Sequence, residues 1–161
     1  MFSFYTRGMN FIDIIKLKWT DIKDNRIYYV RSKTKGTFSI EILEPVQTIL
    51  DYYKTTNGKS QYVFPILLKS DLTPIQILNR KKKVLQQYNS GLKEIAKLIG
   101  INKNLTSYVA RHSFATALKN KGSSIEKISE LMGHSDIKVT MSYLKDFDQD
   151  TLDIENRKLL E

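Results

Sequence analysis

The sequence predicts an α+β domain, mostly helical, with one small antiparallel β-sheet. From Pro74 to Gly100 and from Ser107 to Gly133, apolar side chains recur at intervals of three and four, as on one face of a helix. Arg26 to Ile42 instead carries β-branched and aromatic residues in partial alternation. They flank a polar link with a glycine, Ser32-Lys33-Thr34-Lys35-Gly36, which is the pattern of a β-hairpin. At 161 residues and 18.7 kDa the chain has the size of one domain and can bury a normal core.

Taken in order, Asn10 is placed to N-cap a helix with Asp13 at its third position, a capping-box-like pair. Phe11, Ile14, Ile15 and Leu17 with Trp19 supply its apolar face, and Arg7 falls in the turn before it. The hairpin strands follow, with Ile27, Tyr28, Tyr29 and Val30 in the first and Thr37, Phe38, Ile40 and Ile42 in the second. Pro45 suits the first turn of a short helix running to about Tyr53, which Asn57-Gly58 breaks, and Tyr62-Val63-Phe64 is a candidate third strand. Pro74 opens a long helix whose apolar positions are Ile75, Leu78, Leu85, Tyr88, Leu92, Ile95 and Ile99, weakened at Gly91. Its other face carries Arg80-Lys81-Lys82-Lys83, either a phosphate-backbone contact or a solvated surface. A helix from about Ser107 to Asn120 stops near Gly122, and a second runs from Ser124 to Gly133. Ser135 with Asp136 caps a third, expected to carry Tyr143 about two turns along.

The net charge of +9 and pI near 9.6 create a field that attracts polyanions, nucleic acid first among them. Only six of the 26 basic residues are Arg: Arg7, Arg26, Arg31, Arg80, Arg111 and Arg157. Each is worth examining, because Arg alone offers a planar fork for phosphate. With no cysteine there are no disulfides or thiolate metal sites. No apolar run reaches the roughly 18 residues of a membrane span, and the first residues lack the basic start of a signal peptide. A cytoplasmic location is expected.

The run from Leu105 to Lys145 holds Arg111-His112, then Met132-Gly133-His134, then Ser142-Tyr143-Leu144, with Tyr143 nine positions after His134. These motifs resemble the closing boxes of the tyrosine recombinase (phage integrase) family: an Arg followed by His, a Leu-Gly-His and a nucleophilic Tyr. The stretch from Tyr5 to Ile22 is similar to the family's first box, an Arg-Gly turn before a helix with an internal acid that ends in Trp-x-Asp-Ile. The resemblance implies the catalytic fold of that family. It implies that Arg7 is the first catalytic arginine, Asp13 the buried acid supporting it and Arg111 the second arginine. The family's hairpin lysine is matched by Lys33, with Lys35 the near competitor.

Strand transfer through a protein tyrosine passes a pentacoordinate phosphorus with extra negative charge, which Arg7 and Arg111 would neutralise. Tyr143 would be the nucleophile, His134 a donor to a phosphate oxygen, and Lys33 the acid that protonates the departing 5′ hydroxyl. The covalent intermediate conserves bond energy, so no cofactor, ATP or metal is expected. One position departs from the family pattern: Tyr108 stands three before Arg111 where His is usual. A phenol donates to phosphate but is no base at neutral pH, so Tyr108 is read as a phosphate contact. His112 points about 100° away from Arg111 on a helix and is read as a helix-packing residue or a support behind the site.

The expected partner is double-stranded DNA, with self-assembly into a synaptic tetramer on DNA when full length. Two other readings stand beside the recombinase: a helix-turn-helix DNA-binding module over Ile125 to Leu144, and a type IB topoisomerase. Family members carry a DNA-clamping domain ahead of the catalytic one, so residues 1–161 are expected to be the catalytic domain of a longer protein. The tail from Asp150 to Glu161 is helix-compatible and docks either on a neighbouring subunit or on its own domain.

Overall fold

The computed structural model describes residues 1–57, 59–69, 71–144 and 149–160. Gly58 in the break after Asn57, Lys145 at the end of the patterned run and Glu161 at the end of the tail lie outside the described residues. The chain divides into two compact units, Met1–Phe114 and Ala115–Glu161.

The first unit contains helices α1 (Phe2–Tyr5) and α2 (Phe11–Lys16), then strands β1 (Ile22–Lys23), β2 (Arg26–Val30) and β3 (Thr37–Glu41). Helices α3 (Glu44–Asn57) and α4 (Pro74–Leu98) follow, and α5 (Val109–Asn120) begins in this unit. The antiparallel sheet has the order β1-β2-β3, and its register sets Ile27 opposite Ile40 and Tyr29 opposite Phe38. Side chains alternate along a strand, so these two pairs share one face. Ile27 and Ile40 enter the core with Leu17, Val46, Leu50 and Val63, and Tyr29 stacks on Phe38 at 5.0 Å between ring centroids.

Several expectations change. Helix α2 stops at Lys16 because the chain turns extended at Leu17, whose carbonyl accepts from Val63 N at 2.9 Å. The Asn10 side chain makes no cap bond there. The third strand is β1, formed by Ile22 and Lys23, while Tyr62 makes only an isolated bridge to Lys18. Helix α3 starts one residue before Pro45 and continues to Asn57. Helix α4 is capped by Thr73, whose hydroxyl accepts from Gln76 N at 3.3 Å, as its sequence suits. Yet Ile75, Leu78, Tyr88, Ile95 and Ile99 from its apolar list are exposed, and its one fully buried residue is Ala96. Arg80 is not part of a free basic face either, since its Nε donates to Ile66 O at 2.9 Å. Lys82 and Lys83 remain exposed.

In the second unit α6 (Ile125–Met132) is capped by Ser124 and closed by Gly133 at φ +64°, the left-handed stop that glycine allows without strain. Helix α7 (Ile137–Met141) is capped by the Asp136 carboxylate, which accepts from Lys138 N at 2.8 Å. Helix α8 (Gln149–Arg157) and a short 3₁₀ turn, Lys158–Leu160, complete it, with Leu152, Ile154, Leu159 and Leu160 exposed. Among the described residues no helix is long and apolar enough to cross a membrane.

Ile27 has no exposed surface and sits in the central strand. Ile27→Ala is expected to cost about 2 to 5 kcal/mol of folding stability, read as a lower midpoint in urea unfolding.

Candidate active site

The first unit builds its site from the segment joining α1 to α2. The turn is closed by Gly8 N donating to Ser3 O at 2.8 Å and Met9 N to Thr6 O at 3.1 Å. Closing it so tightly puts Arg7 at φ +56° and Gly8 at φ +69°. Glycine adopts this conformation freely, whereas an arginine there carries roughly 1 to 2 kcal/mol of strain. Such strain persists where the surroundings over-determine it, commonly at functional positions.

Gly8 has a second reason to be glycine. A Cβ at this position would lie 2.8 Å from Arg111 Cγ and 3.2 Å from Arg111 Cα. That close approach lets the Gly8 carbonyl accept from Arg111 Nη1 at 2.6 Å. Arg111, in the first turn of α5, is only 3% exposed. Burial, and then the neighbouring charge of Arg31, pull its pKa down to about 10, against the opposite influence of Tyr108, Tyr29 and Asp13. The guanidinium stays charged at neutral pH.

Asp13 is buried in the first turn of α2, and its Oδ1 accepts from Ser32 N at 2.9 Å. Its predicted capping role is therefore replaced by a tertiary one, holding the base of the hairpin turn. Oδ2 is buried with no hydrogen-bond partner among the described residues. Tyr29 is pushed up to about 12, first by burial and then by the Asp13 carboxylate, with Arg31, Arg111 and Arg7 acting against the shift. It remains a neutral phenol.

Lys33 stands exposed on the hairpin turn, one residue beyond the Ser32 anchor. Lys35 is also exposed and takes φ +60°, its N donating to Arg31 O at 2.9 Å. Tyr108 is half-exposed and meets His112 edge to face, with centroids 5.1 Å apart. His112 thus shares a helix face with Tyr108, as a spacing of four residues dictates.

In the second unit His134 follows the left-handed Gly133, and its Nδ1 is hydrogen-bonded to the buried Thr140 hydroxyl at 2.8 Å. Its ring lies 5.3 Å from that of Tyr143, tilted by 34°. Tyr143 is not carried two turns along a helix, because α7 ends at Met141 after five residues. It follows in a turn, its N donating to Thr140 O at 3.0 Å.

The six predicted site residues fall into two groups, Arg7, Lys33, Tyr108 and Arg111 in the first unit and His134 with Tyr143 in the second. Arg31 was not among them, yet it is 6% exposed and acts electrostatically on both Tyr29 and Arg111. The signal was parity: Ile27, Tyr29 and Arg31 alternate onto one face, so the inward phase runs into an arginine. Among the described residues no three His, Asp or Glu side chains come together to hold a metal ion.

Arg7→Gly relieves the left-handed strain while glycine's greater unfolded-state freedom offsets part of the gain. Its folding stability is expected to equal wild type or exceed it by up to about 1 kcal/mol in urea titration, although the guanidinium is lost. Arg7→Ala, which keeps the strain, should be the less stable of the two.

Comparison with known proteins places this architecture. The phage integrase family model matches residues 3–150. Tyrosine recombinase XerD of Staphylococcus epidermidis (strain RP62A) is 34% identical over 144 residues, covering 86% of this chain and 46% of that protein. The chain therefore spans about half the length of the curated relatives it matches. Among solved structures, XerA recombinase aligns with a TM-score of 0.70 at 19% identity, covering 99% of this chain and 55% of that one. XerH recombinase, bound to its palindromic difH substrate after cleavage, aligns with a TM-score of 0.72 at 19% identity, covering 99% of this chain and 44% of that one. With 148 of its 161 residues inside the family model and a curated relative above 30% identity, the chain belongs to the phage integrase family.

Proposed function

We propose that this chain is the catalytic domain of a site-specific tyrosine recombinase, which breaks and rejoins double-stranded DNA through a 3′-phosphotyrosine formed on Tyr143. The observation that carries the reading is the buried Arg111, fastened to the carbonyl of a strained Arg7-Gly8 turn. The contact fixes this guanidinium in advance beside the turn that carries Arg7, as the stabilisation of a charge that develops during reaction requires. Arg7 and Arg111 bind the non-bridging phosphate oxygens and stabilise the charge that grows at phosphorus. Tyr143 releases its proton to solvent and attacks phosphorus, and Lys33 supplies the proton taken by the 5′ oxygen as the P–O5′ bond breaks. His134, its ring fixed through Nδ1 by Thr140, donates to a phosphate oxygen, and Tyr108 donates from the position where the family usually has His. The relatives support the same reading, since XerD is named a tyrosine recombinase. The protein acts in the cytoplasm, where its DNA is.

The exposed Leu152, Ile154, Leu159 and Leu160 favour docking of the tail on a neighbouring subunit within a tetramer on DNA. Removing residues 149–161 is expected to leave a protein that binds DNA but no longer sediments as a tetramer with it. An unchanged assembly would remove this role for the tail.

To test the chemistry, sheared DNA of the source organism is incubated with the protein, and covalent adducts that survive SDS are recovered and sequenced. Wild type is expected to yield an adduct at a defined sequence and Tyr143→Phe none. Arg7→Ala or Arg111→Ala should each slow adduct formation by about 10²- to 10³-fold. If the full-length protein retards DNA and forms no adduct, the chain is a DNA-binding module instead.

A further inference from the structure

We propose that Arg31 is a positioning residue for Lys33: it fastens the ascending arm of the hairpin to the α1–α2 segment, so that the lysine is held where a proton must be delivered. This inference rests on the recombinase reading above.

The argument begins with the strand. Arg31 continues the inward phase of β2 one residue beyond its end, so its side chain turns toward the core side of the sheet and is buried although charged. The Asn10 amide, in the orientation that satisfies both groups, accepts from Arg31 Nε at 3.3 Å and from Nη2 at 3.2 Å. Three residues on, Asp13 Oδ1 accepts from Ser32 N at 2.9 Å. Two consecutive hairpin residues are thus tied, one by side chain and one by backbone, to residues 10–13. The Arg31 backbone also closes the turn itself, donating to Gly36 O and accepting from Lys35 N, both at 2.9 Å. Lys33 is the next residue after these anchors, and its side chain is exposed.

A hairpin tip attached only through its strands would sample many positions, and an acid that must meet one oxygen loses rate when displaced by about 1 Å. Residues 7–13 also carry Arg7 and hold Arg111 through Gly8 O. Fastening the turn to this segment therefore references the acid to the groups that grip phosphorus. The guanidinium's fork suits the task, since it bonds the Asn10 oxygen through two nitrogens.

Proton delivery gives a readout that a general structural role would not move. In the cleavage step the Tyr143 phenol gives up its proton to solvent and its oxygen bonds to phosphorus, the P–O5′ bond breaks, and O5′ takes a proton from Lys33 Nζ. With sulfur in the bridging 5′ position the leaving group departs as a thiolate, whose conjugate acid lies near pKa 8.5 and needs no proton donor. The recovered cleavage site is therefore made as two nicked duplexes, one with oxygen and one with sulfur at that position. Adduct formation is followed with the full-length protein.

Wild type is expected to cleave both. Lys33→Ala and Arg31→Gln should each be slowed on oxygen, Arg31→Gln by on the order of 10- to 100-fold, and both should return to within a few-fold of wild type on sulfur. Equal loss on both duplexes by Arg31→Gln would overturn the proposal, because it would mean a damaged fold or a direct effect on phosphorus. Should Arg31→Gln fail to fold, Asn10→Ala removes the other end of the same contact and carries the same expectation. If wild type forms no adduct on either duplex, the functional reading fails and this inference with it. A wild-type adduct without sulfur rescue of the variant overturns this inference alone.

Discussion

A backbone carbonyl, that of Gly8, is the acceptor on which the arginine site depends. It meets Arg111 Nη1 at 2.6 Å, and the approach is possible only because residue 8 has no Cβ. The same turn forces Arg7 into the left-handed region. One short segment therefore sets the backbone of one arginine and the side-chain position of another. The cost is local strain and a buried charge: the turn's hydrogen bonds to α1 hold the strained backbone, and the Gly8 carbonyl meets the charge.

Arg7, Arg31 and Arg111 all act on Tyr29 in the direction opposite to the Asp13 carboxylate. Burial and the charge of Arg31 both lower the pKa of Arg111, so these positive charges disfavour one another. On the proposed reading, an anion that enters relieves this repulsion, and one whose charge grows along the reaction relieves it more, so the arrangement would favour the transition state over the ground state.

How much of this was legible depends on whether local rules alone decide a residue's place. The hairpin could be read from its alternation, and α6 and α7 from Ser124, Gly133 and Asp136, because caps and left-handed stops act within one turn of chain. Asn10 and Asp13 carried the right local signature, but tertiary partners claimed them: Arg31 took the Asn10 amide and Ser32 N took Asp13 Oδ1. Leu17 fitted the helical period of α2, yet its carbonyl was wanted by Val63. On α4 the periodic apolar residues outnumber those the core can use: Leu85 and Leu92 are half-buried and Tyr88 meets Phe11, while Ile75, Leu78, Ile95 and Ile99 stay exposed. Arg31 was recoverable from strand parity, but a charged residue in a buried phase tends to be read as the end of the pattern rather than as part of it.

Tyr143 shows a different division of labour. The Arg111 side chain makes a buried, long-range bond to Gly8 O, while the backbone around Tyr143 makes local ones, Tyr143 N to Thr140 O and Leu144 N to Met141 O, with the Thr140 hydroxyl fixing the neighbouring His134. These local bonds span three residues or six, and α7 is only five residues long. The distinction follows the chemistry. Groups that stabilise growing charge contribute most when fixed in advance, since reorganising them during the reaction would cost what they supply. In the proposed reaction the nucleophile must approach, bond and later be released, which suits a residue carried on a turn. Had α7 continued through residue 143, the helical ladder would have fixed the phenol's backbone as it fixes that of Arg111; ending it at Met141 places Tyr143 in a turn instead, with the ring of His134 beside it.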